Sequence, residues 1–417
     1  MDYSNKTVCI IDNGLFIELA VTLSKSFGKV YYHTPWVNAF PQSNTRLVGT
    51  GISGVERINH YWSIKDDVDL WVFPDIYCGD IQLELEAQGK RVWGSRMGDE
   101  LELYRPETKE HLKKLGINIG SYKVITGMDN LREHLKEHDD QYVKVSTTRG
   151  DMETFKSKNY NLIEPKLDEL EYKLGAKKSI MQWVVEDAIK DAVEIGYDGF
   201  TVDGQFPAHA MAGIEIKDKS YVGIFKEYAK MPKQILDVNE KVSETLKSYG
   251  YKNFFCCEMR ITKDGKAWVI DPMCRFGSPP GELVQEMYSN LPDILWQGAE
   301  GVCVDPIPQA KFGAEVLIHS SWADKNWQPI DFPPELRANM KFRNLAIIKG
   351  KHYVVPQGVG LPEIGAVVAT GDTQEEAIKK CKECCEQIEG YYIETYPDSL
   401  DEATAEEEKL KDFGIEI

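Results

Sequence analysis

The stretch FFCCEMRITKDGKAWVIDPMCRFG, residues 254–277, puts an acid in the middle of each of two apolar, strand-like segments. Glu258 lies in the first and Asp271 in the second, with Lys263-Asp264-Gly265-Lys266 between them. Asp-Gly suits the positive φ angles of a tight hairpin turn. With Asp264 and Gly265 as a two-residue loop, the numbering sets Glu258 directly opposite Asp271. Opposed side chains share a face, with Cβ atoms roughly 5 Å apart. Alternation along the strands adds Arg260, Met273 and Arg275 to that face. Two carboxylates so close repel unless a cation sits between them or one holds a proton. The pattern therefore reads as a Mg²⁺ site with arginines for anionic oxygens. It reads equally as a solvated sheet face on which the two acids pair with Arg260 and Arg275.

Bulk properties narrow the field. The chain has 417 residues, enough for two to four lobes, and 42% of them are hydrophobic, as in an ordinary globular protein. The first residues, MDYSNKTVCIIDNG, lack the basic and apolar regions of a secretory signal. No run approaches the ~20 apolar residues of a membrane span. The nine cysteines then imply free thiols in a reducing, cytoplasmic setting. A net charge of −18 disfavours broad contact with nucleic acid or an anionic membrane, but not a locally basic nucleotide pocket.

The elements that must position the hairpin follow from periodicity. TVCIID (7–12), KVYYHT (29–34), DLWVFPD (69–75) and KRVWG (90–94) read as strands, and residues 14–28 as a helix, giving a small parallel α/β layer. Residues 105–116 read as a helix, SYKVIT as a strand and 129–138 as another helix. YVKVSTTRGDMETF (142–155) is a strand running into a polar, glycine-containing loop. SIMQWVVE (179–186) is a strand, and residues 194–206 and 211–216 are antiparallel strands. An amphipathic helix (232–250) leads into the hairpin. A third region starts at residue 311 and includes a helix from Thr373 to about Ile388, with Thr373 and Glu376 as a capping box.

Other constellations are weaker. Lys144 before Ser146-Thr147-Thr148-Arg149-Gly150 fits a loop closing over phosphates, with the lysine as point charge, and also fits a plain surface lysine. Ile180–Glu186 reads either as an apolar linker that meets an adenine edge through its main chain, or as core strand. Cys381, Cys384 and Cys385 keep helical spacing with Ala377 and Ile388, which fits small buried residues better than metal. His134 and His138 stand at i and i+4 in charged, solvent-like surroundings. There is no GxxxxGK[ST] loop, HExxH or GxSxG.

The order of these parts resembles the ATP-grasp superfamily, and in length and domain order it is most similar to the phosphoribosylamine–glycine ligase family. The resemblance is strongest over 90–155 and 179–285, with an echo in IGAVVATGDTQEEAIKKCKECCEQIEG. It implies an α/β (α+β) ATP-grasp fold: an N-terminal Rossmann-like pre-grasp domain (1–100), a grasp domain (101–310) with a mobile lid at about 120–190, and a C-terminal lobe (311–417). In VWGSRMGDELELYRPETKEHLKKLGI the family's two lysines spaced by four fall at Arg105 and Lys109. Arg105 would then meet ATP phosphate, with Lys144 as the second phosphate contact and Gly150 in the lid loop. Gln182 falls at the adenine hinge, with Trp183, Val184 and Val185 as hinge backbone. Glu194 resembles the ribose-binding acid, with Glu186 as its rival. D-x-M-x-R matches the superfamily's E-x-N-x-R. Asp271 and Glu258 would be metal ligands, and Arg275 would stabilise the acyl-phosphate transition state.

Three departures stand out. Met273 replaces a metal-ligating asparagine, and a thioether is a poor ligand for a hard cation, which bears on how many Mg²⁺ ions the site would hold. IIDNGLFIELA replaces the glycine-rich phosphoribosylamine loop, and the family's N-T-G-G-M-G is missing where MAGIEIKDKSYVG stands. The expected function is an ATP-dependent ligase of a small-molecule carboxylate and an amine or other nucleophile. It would use ATP and Mg²⁺ (or Mn²⁺), as a monomer or homodimer. A carboxylase or kinase on the same site, and a degenerate module that binds nucleotide or a partner without turnover, are the alternatives.

Overall fold

The structure is a computed structural model and describes residues 1–34, 47–146, 154–358 and 362–417. The first layer comprises β1 (Thr7–Ile11), α1 (Ile17–Leu23), β2 (Lys29–His33), β3 (Val55–Arg57), β4 (Leu70–Val72), α2 (Gly79–Ala87) and β5 (Arg91–Trp93). Its strands are parallel in the order β3-β2-β1-β4-β5. Continuous apolar runs such as Val8–Ile11 and Leu70–Phe73 suit strands buried on both faces. The first helix is shorter than its apolar pattern, because the Asp12 carboxylate accepts from the Gly14 and Phe16 amides and holds residues 13–16 as a loop. The short α3 (Glu100–Leu103) and then α4 (Arg105–Lys114) carry the chain onward.

Residues 122–187 form a separate antiparallel sheet with its own core. It contains β6 (Tyr122–Thr126), α5 (Met128–Glu137), β7 (Gln141–Val145), β8 (Thr154–Ser157), α6 (Tyr160–Leu174) and β9 (Gln182–Asp187), with strand order β6-β9-β7-β8. Leu131, Leu135, Val143, Leu167, Leu170 and Trp183 pack together there. Helix α6 has no counterpart in the sequence reading. Pro165 lies inside it and argues against a helix locally. Burial of Ile163, Leu167 and Leu170 on the sheet overrides that preference.

The remaining elements build one large sheet and a smaller one made of residues 328–331, 345–348, 351–354 and 389–390. They begin with β10 (Ala192–Val202), β11 (His209–Ile216), β12 (Ser220–Glu227), α7 (Lys233–Ser248), β13 (Lys252–Thr262), β14 (Ala267–Met273), α8 (Gly281–Met287) and α9 (Leu291–Ala299). They continue with β15 (Phe312–His319), β16 (Gln328–Asp331), β17 (Met340–Phe342), β18 (Leu345–Ile348), β19 (Lys351–Val354), β20 (Glu363–Gly371), α10 (Gln374–Cys385) and α11 (Ser399–Asp412). The main sheet runs β14-β13-β10-β11-β12-β15-β20-β17, so residues beyond 311 continue the sheet that carries the hairpin. Thr373 Oγ1 accepts from the Glu376 amide as the capping box requires, while the Glu376 carboxylate accepts from the Asp372 amide, one residue earlier, and Cys381, Cys384 and Cys385 are buried. Among the described residues no helix is long and apolar enough to cross a membrane.

A row of glycines crosses this sheet in line with Glu258. Glu258 faces Gly196, which faces Gly213, then Gly223, then Gly313. The bare backbone lets the Tyr221 ring lie over Gly213 and Gly223, while its hydroxyl donates to Asp198 Oδ2 at 2.6 Å. A Cβ at Gly213 would stand 2.1 Å from the Tyr221 hydroxyl. We expect Gly213→Ala to displace the ring and cost about 1–3 kcal/mol, as overpacking does. Urea denaturation should show a lower midpoint, and a midpoint equal to wild type would mean that Tyr221 relaxes freely.

Candidate functional site

Glu258 does face Asp271, by a different route from the one the turn signal implied. The loop has three residues, since the Thr262 amide donates to the Lys266 carbonyl and Gly265 takes φ +77°. That alone would shift the register by one residue. A bulge restores it, because Met259 pairs with Val269 and Glu258 with Asp271, leaving Ile270 as the extra residue. The freed Ile270 carbonyl accepts from Lys109 Nζ at 2.8 Å. β14 is an edge strand, which tolerates Pro272 without an amide hydrogen.

The ion pairs fall elsewhere than on the arginines first considered. Lys144 Nζ lies 2.6 Å from Asp271 Oδ2 and 3.3 Å from Glu186 Oε1. Lys109 Nζ lies 3.0 Å from the same Glu186 oxygen. Lys109, Lys144, Glu186 and Arg105 are all buried, and Arg105 donates to the Val145 carbonyl. β7 and β9 of the four-stranded sheet supply Lys144 and Glu186, α4 supplies Lys109 and Arg105, and the edge hairpin supplies Asp271. Burial would push the Asp271 carboxyl up, but Lys144, Arg105 and Lys109 outweigh it and hold it at about 2. Burial would push the Lys144 ammonium down, but Asp271 and Glu186 hold it above its ordinary value. Burial and the charge of Lys144 hold the Lys109 ammonium below its ordinary value. The result is a dry, cation-rich corner facing two carboxylates.

A second set extends the same face. Arg260 Nη1 lies 3.5 Å from Glu194 Oε2. Two positions along each strand from the Gly196–Gly213 pair, Glu194 on β10 comes level with Glu215 on β11, and Lys217 lies 3.5 Å from Glu215. Burial first and then the Glu258 charge push the Glu194 carboxyl up to about 7. Burial, with Glu258 and Glu194 adding to it against Lys217, pushes Glu215 up to about 8. Beyond the hairpin, Arg275 Nε donates to Glu102 Oε1 at 2.9 Å, and the other Glu102 oxygen accepts from the Cys274 amide. Glu102 thus orients Arg275. Glu102 and Glu215 were missed in sequence. Extending the strand register of residues 194–216 would have found Glu215; nothing local marks Glu102.

Other expectations need correction. Residues 182–187 are not a linker with exposed backbone. They form the strand bonded to β6 on one side and β7 on the other, with Trp183, Val184 and Val185 buried. Their main chain is committed to the sheet, so Gln182, Val184 and Val185 cannot offer a backbone edge to adenine. Gln182 also lies four residues from Glu186, roughly 13 Å along an extended strand. Glu186 is held by two lysines, whereas Glu194 pairs with Arg260. Gly150 and Arg149 lie outside the described residues. His134 and His138 stack at 4.0 Å, and His138 Nδ1 meets the His134 carbonyl. Among the described residues no group of three or more His, Cys, Asp or Glu side chains is arranged to hold a metal. A groove of about 750 Å³ lined by His209, Phe225, Lys226, Lys311 and Ile417 shares no residue with this cleft.

No protein-family model matches the sequence, and no curated protein sequence matches it. Solved structures do share its fold. Phosphoribosylamine–glycine ligase from Thermotoga maritima is 18% identical, with TM-score 0.68, over 93% of this chain and 98% of that one. The biotin carboxylase domain of Hydrogenobacter thermophilus 2-oxoglutarate carboxylase, crystallised with MgADP, ADP and bicarbonate, is 12% identical. Its TM-score is 0.63, over 99% of this chain and 96% of that one. L-amino acid ligase from Bacillus licheniformis is 15% identical, with TM-score 0.58, over 93% of this chain and 99% of that one.

The raised acids give a pH dependence. Unfolded carboxyls titrate near ~4.3. Glu194 at about 7 and Glu215 at about 8 keep protons in the fold that the unfolded chain has lost. Their contribution to stability is fully present below the unfolded value and is lost as pH rises through 7 and 8. In EDTA the melting temperature should fall between pH 6 and pH 9, and Glu215→Gln should flatten that fall. An unchanged slope in the variant would show that the two acids are charged in the fold.

Proposed function

We propose that this chain, whose fold is ATP-grasp, is an ATP-dependent ligase that activates a carboxylate as an acyl phosphate for attack by an amine. The observation that supports this best is the convergence of Lys109, Lys144 and Arg105 on Asp271, itself opposite Glu258, with Arg275 further along the same strand end. In this reading residues 1–100 are a pre-grasp domain, 101–310 the grasp domain with a lid at about 120–190, and 311–417 a C-terminal lobe. The neighbours named above, a glycine ligase, a carboxylase and an amino acid ligase, support the general class.

Lys144, Lys109 and Arg105 would neutralise the triphosphate. Lysines serve as point charges there, and a buried guanidinium adds directed donors. Val184 pairs with Lys144 across the strands and would wall the nucleotide apolarly. The connector 188–191, between β9 and β10, would take the adenine-hinge role in place of residues 182–185. Glu194 would bind sugar hydroxyls. Glu258 and Asp271 are hard oxygen donors on one face and fit a single Mg²⁺ that would neutralise phosphate charge when bound. Met273 adds no suitable donor to that set. Arg275, aligned by Glu102, would stabilise charge developing as the phosphoryl group moves to the carboxylate. Phosphoribosylamine does not suit the first layer, where the buried Asp12 carboxylate occupies the strand–turn–helix that would cradle its phosphate. Met273 also favours a second reading, a module that binds nucleotide without turnover.

MgATP should raise the melting temperature of the wild type, as any ligand selective for the folded state does. A carboxylate and amine library should then elicit ADP release. Arg275→Ala should keep most MgATP binding and lose roughly 10²–10³-fold in turnover, the scale of one transition-state donor. No shift and no calorimetric heat at millimolar MgATP would end the ligase reading. Binding without ADP release across the library would support the silent module.

A further inference from the structure

The cleft poses a charge problem: the lysine nearest a triphosphate is engaged with a carboxylate that would repel that triphosphate. Lys144 Nζ is 2.6 Å from Asp271 Oδ2, closer than to its other partner Glu186 at 3.3 Å. Lys144 is 2% exposed, so it cannot trade Asp271 for water. Asp271 is the acid that faces Glu258, and a divalent cation between them would take the oxygen Lys144 now holds. Glu186 remains as an anchor on the far side, tied also to Lys109 at 3.0 Å. The cluster therefore has two internal charge arrangements. In one, Lys144 neutralises Asp271. In the other, a cation neutralises Asp271 and Lys144 turns to an anion.

Resting on the nucleotide reading above, we infer that Lys144 is a counter-ion exchanged between Asp271 and the nucleotide, so that divalent cation and nucleotide bind cooperatively. Without the cation, phosphate must pull Lys144 from Asp271 and leave that carboxylate offset only by the more distant charges of Arg105 and Lys109, which is costly in a poorly hydrated site. With the cation on Asp271 and Glu258, the lysine is already released. The coupling is reciprocal, so nucleotide must strengthen cation binding by the same factor. Glu186 acts as a positioning residue that keeps Lys144 within reach of both partners.

Calorimetry with ADP, in EDTA and in MgCl₂, tests this without any turnover. Wild type should bind ADP more tightly in MgCl₂, by roughly 5- to 150-fold, the usual span of coupling between sites. Asp271→Asn removes the competing carboxylate. It should bind ADP in EDTA more tightly than wild type does in EDTA, and MgCl₂ should then change its affinity little. General loss of a negative charge would also help ADP, so Lys144→Met and the double variant complete a cycle. If exchange operates, the gain from Asp271→Asn shrinks to the small general charge effect once Lys144 is gone. An equal gain with and without Lys144, or no gain in the single variant, overturns the exchange while leaving nucleotide binding intact. Absence of ADP heat from wild type in both buffers removes the nucleotide reading and the exchange with it. A Lys144→Gln variant provides the same comparison if the methionine protein does not fold.

Discussion

Buried charge has to be balanced locally, and much of this structure follows from how that is done around Asp271. A buried lysine on β7, with a lysine and an arginine on α4, meets one carboxylate from the edge hairpin and one from β9. Removing water makes each attraction stronger and each unpaired charge more costly. The sheet of residues 122–187 and the main sheet have separate cores, and these ion pairs bridge them. A joint made of charges responds to ions and phosphates in a way that a greasy interface would not.

The outline of the fold was legible because it rests on periodicity. Unbroken apolar runs marked the parallel strands, and the capping box at Thr373 marked its helix. What stayed hidden depended on tertiary context. Helix α6 carries Pro165 against local preference, and its packing on the lid sheet decides the matter. The helix after β1 was read too long because nothing in sequence shows that the Asp12 carboxylate holds the next residues in a loop.

The site was partly legible for a related reason. The facing of Glu258 and Asp271 was reached from a two-residue turn, although a three-residue loop and the Ile270 bulge cancel to give the same pairing. That bulge also presents the carbonyl that Lys109 binds, so the irregularity positions a charged side chain. Residues 182–185 misled because an apolar run reads alike as linker and as central strand. Only the pairing partners on both sides tell them apart. Glu102 lies 173 residues from the Arg275 it binds, and contact at such separation leaves no local mark.

The continuity of the main sheet bears on how this chain is put together in evolution and in the cell. β12 passes its backbone hydrogen bonds directly to β15, so β15, β20 and β17 of the C-terminal region are woven into the same fabric as the hairpin. A chain ending near residue 310 would expose the long edge of β12, eight residues that other strands could add to. Emerging from a ribosome, the protein passes through that stage, and the edge stays open until β15 arrives. The C-terminal quarter is therefore poorly suited to exchange as a cassette between relatives. Its divergence has to stay in step with a strand made more than eighty residues earlier.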